Sequence, residues 1–144
     1  MRICLVTANL GGIDCQKLLG VDLVCDCNER IPLQDSCAEE INATDFLEHV
    51  RNDKRIHIME EIHRLLKPGG RLVSLTPNAA LGEGAFQDPT HTAFWTKNSF
   101  LYYTDDHHRN LYGIKAKFLV ERLEVIPINK NNVSYVRAIL VAVK

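Results

Sequence analysis

This chain of 144 residues predicts an α/β fold, a mostly parallel sheet covered by helices, and three observations carry that expectation. Ile56, Met59, Ile62, Leu65 and Leu66 recur at the three-and-four spacing that gives a helix one buried face. Pro68, Gly69 and Gly70 then stop the helix, and residues 71–75 read as a buried strand, so a short turn closes half of a β-α-β unit. Finally, strand-like runs over 111–128 and 134–143 flank the turn Asn129-Lys130-Asn131-Asn132, which predicts a C-terminal antiparallel hairpin.

In chain order, residues 3–8 are β-branched and apolar and read as a first buried strand. Asn9 to Gly12 would form a glycine turn at the carboxyl edge of the sheet, where Gly11 and Gly12 let the backbone approach a ligand, and a short helix follows over 14–19. Residues 21–25 form a second strand that ends at Asp26, whose carboxylate either accepts hydrogen bonds from a nucleoside or caps the following turn. Residues 40–44 form the next strand, less apolar than a central strand should be because of Glu39, Glu40 and Asn42. Asn52 or Asp53 would cap the helix that carries the apolar face.

Beyond Pro77 the chain becomes loop-like through Asn78, Gly82, Gly84 and Pro89, and a helix is expected over 97–103. Within that loop, His91 is a candidate general base, because an unperturbed imidazole is largely neutral at pH 7; alternatively Asp88 and His91 pin the loop, with Trp95 as an apolar anchor. His107 and His108 beside Asp105 and Asp106 read as a solvated polar loop. No metal site is expected: Cys25-x-Cys27 lacks a second ligand pair at helpful spacing.

The run Leu-Leu-Lys-Pro-Gly-Gly-Arg-Leu-Val at 65–73, preceded by Phe46-Leu47-Glu48-His49 and followed by Thr76-Pro77-Asn78, resembles class I S-adenosylmethionine-dependent methyltransferases over roughly residues 21–104. The resemblance implies a Rossmann-like methyltransferase fold, shortened at its N-terminus by one strand and one helix. It also implies S-adenosylmethionine as cofactor, with Gly11, Gly12, Asp26, Cys27, Thr44, Asp45 and Leu47 lining the donor site and Asp88 and His91 near the acceptor. Asp45 and Glu48 have an open alternative in packing and hydrogen bonding of their loop. The run Asp88-Pro89-Thr90-His91 before Phe94-Trp95-Thr96 is similar to a subgroup found with sugar and polysaccharide biosynthesis, implying a small hydroxyl or amine acceptor.

Composition limits the other classes. The length suits a single domain, and 17 basic against 18 acidic residues excludes an electrostatic nucleic-acid binder. No run of apolar residues spans a bilayer, so a cytoplasmic protein with reduced thiols among its five cysteines is expected. The shortened N-terminal region supports two further expectations: a homodimer formed through an exposed sheet edge, and, as the rival to an enzyme, a non-catalytic binding or assembly module.

Overall fold

The computed structural model describes residues 1–5, 12–14, 17 and 21–144. Its main sheet has five strands, β1 (Arg2–Cys4), β4 (Ala38–Thr44), β5 (Leu66–Gly82), β7 (Val133–Ala142) and β6 (Phe118–Ile126), in the spatial order β1-β4-β5-β7-β6. β1, β4 and β5 run parallel, whereas β7 is antiparallel to both β5 and β6, as the hairpin expectation required. β2 (Gly12–Asp14) and β3 (Val21–Val24) pair in parallel, and a parallel bridge from Leu5 to Ile13 sets them beside β1.

The N-terminal region corrects the sequence reading. Among the described residues three strands precede Cys25, where the sequence reading placed two, and the connections between them are short. Residues 5–11 and 15–20 are each fewer than the roughly dozen that a helical crossover takes. Among the described residues no helix precedes Leu47. Gly12 and Asp14 belong to strand β2 rather than to a turn and the start of a helix. The rest of the turn, with Gly11, and most of the expected helix over 14–19 lie outside the described residues.

Charge matching explains how acidic residues fit β4, the strand between β1 and β5. Glu39 pairs with Lys67 at 2.8 Å and Glu40 with Arg71 at 3.6 Å, both across to β5, while Ala38, Ile41 and Ala43 face the core. The helix α1 (Arg55–Leu65) buries Ile58, Met59, Ile62 and Leu65; Ile56 is exposed, one position off the buried stripe. Asn52 and Asp53 make a 3-10 turn before α1 and give it no side-chain cap. β5 begins immediately at Leu66, bulges through Lys67–Gly70 with Gly69 at φ 76°, and regains register where Arg71 pairs with Glu40. Only glycine enters that left-handed conformation without a Cβ penalty.

A four-residue helix, α2 (Gly84–Gln87), follows β5, and a 3-10 helix spans Lys97–Tyr103 as expected in position. Residues 106–112 form a helix, α3 (Asp106–Tyr112), where a polar loop was expected: Asp105 caps it by accepting from the His108 N–H at 3.0 Å, and Gly113 ends it at φ 65°. The β6–β7 turn is held by the Asn129 carboxamide, which accepts from the N–H groups of Asn131 and Val133. Trp95, Phe100 and Phe118 are the largest side chains buried in the core between the sheet and its helices.

Candidate active site

All parallel strands of the main sheet end on one edge, and the loops that leave β4 and β5 there meet. Glu48 sits in a 3-10 turn (Leu47–His49) just after β4. Its carbonyl accepts from the N–H groups of Thr92 and Ala93, at 2.9 and 3.0 Å, and the Val50 carbonyl accepts from the Thr92 hydroxyl at 2.9 Å. Beneath this seam the Trp95 indole N–H donates to the Leu47 carbonyl at 3.0 Å. These four bonds fasten the loop after β5 onto the turn after β4, which is how His91 reaches His49: their rings meet edge to face, with centroids 4.9 Å apart.

The result is a cavity of about 330 Å³. Three carboxyl groups line it, those of Asp45, Glu48 and Asp88, with the imidazoles of His49 and His91 and the phenol of Tyr135; among the described residues no lysine or arginine does. Gly84 closes one wall, since a Cβ there would collide with the Val133 side chain at the start of β7.

Glu48 is buried, and desolvation pushes its carboxyl up to about 7 against hydrogen bonds from its own backbone N–H and from the Thr76 hydroxyl, the latter at 2.9 Å. Burial likewise raises Tyr135, and the negative charge of Asp45 and Glu48 adds to it, so the phenol stays a neutral donor. Asp45 stands at φ 48°, a left-handed conformation that aspartate tolerates better than most residues, and desolvation raises its carboxyl although His49 and His91 oppose the shift.

The hydrogen bonds define both imidazole tautomers. The Thr90 hydroxyl has one proton and donates it to Asp88 Oδ1 at 2.7 Å, so its 3.1 Å contact with His49 Nδ1 is an N–H donated by the ring. His91 Nδ1 lies 3.2 Å from the Ala85 carbonyl, an acceptor, and is therefore also protonated. In its neutral form each ring therefore has its lone pair on Nε2. Asp88 Oδ2 lies 3.8 Å from His91 Nε2, and bonds from Thr90 hold the Asp88 carboxyl below the usual range.

The other sequence-predicted residues separate. Asp26 caps its turn, its Oδ1 accepting from the backbone and side-chain nitrogens of Asn28 at 2.8 Å each. Cys27 is buried among the core side chains. Thr44 donates through its N–H and hydroxyl to the Asn42 carboxamide, at 3.0 and 2.7 Å. Leu47 is fully buried. The structure adds three residues that sequence reasoning passed over or read as packing: Glu48, His49 and Tyr135, brought to His91 by the seam. It also adds Asp14, which is buried at the carboxyl end of β2.

Residues 8–74 match the family model described as a methyltransferase domain. Among solved structures, the 1,6-didemethyltoxoflavin-N1-methyltransferase of Burkholderia thailandensis, crystallised with 1,6-didemethyltoxoflavin and S-adenosylhomocysteine, superposes with a TM-score of 0.65 at 15% identity, over 93% of this chain and 61% of that one. The chain carries a methyltransferase fold. A SAM-dependent methyltransferase from Archaeoglobus fulgidus gives a TM-score of 0.61 at 13% identity, over 91% of this chain and 74% of its own. The [4+2]-cyclase SpnF gives 0.59 at 14% identity, over 83% of this chain and 54% of its own. The chain thus spans less than two thirds of the length of the first and last of these. A search of curated protein sequences finds no match. Asp14 ends β2, and Asp26 and Asp45 follow the carboxyl ends of β3 and β4, the edge at which open α/β sheets bind ligands.

Proposed function

We propose that the protein transfers the methyl group of S-adenosylmethionine to a hydroxyl or amine of a small, sugar-derived acceptor. The observation that carries this reading is the meeting of the β4 and β5 loops around a 330 Å³ cavity, within a methyltransferase fold. The S-adenosylhomocysteine bound to the Burkholderia thailandensis enzyme and the family match over residues 8–74 support the donor. Asp14 is the acid that would accept from ribose hydroxyls, because it ends β2 buried beside the first strand; Gly11, Gly12, Asp26, Cys27, Thr44, Asp45 and Leu47 complete the proposed donor side.

Methyl transfer is an in-line displacement, so positioning and exclusion of water carry most of the catalysis. His91 Nε2 takes the acceptor's proton as the acceptor's electron pair forms the new bond to the methyl carbon. The carbon–sulfur pair returns to sulfur, which leaves as a neutral thioether. Asp88 then stabilises the imidazolium across the 3.8 Å gap. The test is transfer of labelled methyl from S-adenosylmethionine to a panel of sugar hydroxyls and amines. A labelled product that His91→Ala slows supports the proposal, and no product from any acceptor contradicts it.

The short connections in the first 24 residues favour a second reading, a non-catalytic binding module that keeps the fold. They also favour a homodimer through the β3 edge, which sedimentation of the purified protein would reveal.

A further inference from the structure

We infer that Glu48, His49 and His91 bind a divalent transition-metal cation, with Zn²⁺ the best match, inside the cavity. One ligand atom from each lies within 4.8 Å of the other two. A cation about 2.1 Å from each donor requires them somewhat closer, so the three side chains would draw together on binding. Two imidazoles and one carboxylate are a donor set that holds zinc and other first-row cations while leaving further coordination positions open.

Three observations beyond proximity point to a cation. Both rings are already held by outer partners in the tautomer a metal requires: Thr90 Oγ1 accepts from His49 Nδ1–H and the Ala85 carbonyl from His91 Nδ1–H, which leaves two Nε2 lone pairs. Thr76 holds Glu48 through one oxygen only, Oε2. The lining carries Asp45, Glu48 and Asp88 and, among the described residues, no lysine or arginine, so a bound cation would balance a carboxylate-rich cavity.

Cation binding stands on this geometry and does not rest on methyl transfer. The two readings do compete for one atom, because a cation on His91 Nε2 occupies the lone pair that would take the acceptor's proton. His49 and His91 lie far apart in sequence, which is why ligand spacing along the chain gave no sign of the site.

The experiment is titration of the full chain, stripped with a chelator, with Co²⁺ as a visible probe and Zn²⁺ in competition. One equivalent should bind with visible d–d absorption that Zn²⁺ abolishes. His49→Ala, His91→Ala and Glu48→Gln should each weaken binding at least tenfold, and Thr90→Val, which removes only the acceptor for His49, by a factor within about 10 to 100. His107→Ala/His108→Ala, which removes the two adjacent imidazoles on α3 outside the cavity, should change nothing. Binding weaker than about 1 mM, binding unchanged in Glu48→Gln and Thr90→Val, or binding lost in His107→Ala/His108→Ala overturns the inference. The last two variants at the site keep the test decisive if a histidine variant fails to fold. Failure of methyl transfer leaves these readings untouched, so the two proposals fall separately.

Discussion

Asp88 with His91 and Asp105 with His108 are the same residue types at the same spacing, and the structure uses them differently. Asp105 and His108 are in closer contact, 2.6 Å against 3.8 Å, yet they only begin a helix: the Asp105 carboxylate caps the N-terminus of α3, and the His108 side chain is 39% exposed. His91 is 8% exposed because a second loop covers it, and that loop brings Glu48 and His49. A short ion pair is therefore a poor guide to chemistry here. Convergence of separate loops on a desolvated centre is the better one.

The widest separation between the two pairs should appear in catalysis. His91→Ala should lower the rate of methyl transfer by about 10²- to 10⁴-fold with little change in donor affinity, the range general-base catalysis supplies. His108→Ala should leave the rate unchanged; a comparable loss would erase the distinction between the pairs.

Next in size is a pH effect at Glu48. Its folded-state value of about 7 lies above the ordinary carboxylate value near 4.5, so the folded protein binds more protons in that interval. Stability contributed by the protonated carboxyl is present below about pH 4.5 and is lost as pH rises towards 7, by at most about 3 kcal/mol. Urea unfolding at a series of pH values should show this decline in the wild type and its absence in Glu48→Gln. Parallel curves would place Glu48 in a better-solvated position than its burial implies.

On the donor side, Asp14→Asn should weaken S-adenosylhomocysteine binding by about 1 to 3 kcal/mol, the cost of losing a hydrogen bond to a charged group. Asp26→Asn keeps most of its turn and should cost less. Equal effects would assign both acids to the nucleoside. The smallest change is expected for Asp105→Ala, which removes a helix cap and should lower the melting temperature by no more than about 5 °C without touching methyl transfer.

Much of the fold was legible because local signals agreed with tertiary ones. The apolar stripe of α1, the break at Pro68 to Gly70 and the Asn-rich turn at 129–132 each fix a conformation by their own covalent chemistry. The N-terminal strands were harder to read: three-residue strands such as β2 carry too few positions for a period to register, so Asp14 looked like the start of a helix. The α3 cap was hidden in a run of charges that reads equally well as solvated chain. In the site, His91 and Asp88 stood out as a local motif, whereas Glu48 looked structural, because the seam from Thr92 and Ala93 that buries it belongs to a distant part of the chain.

Donor binding tests the account's central claim most directly. Calorimetric titration of the purified protein with S-adenosylhomocysteine should give one site per chain at micromolar affinity, weakened in Asp14→Asn and unchanged in His91→Ala. No heat of binding at millimolar ligand would contradict the methyltransferase reading and leave the binding module in its place.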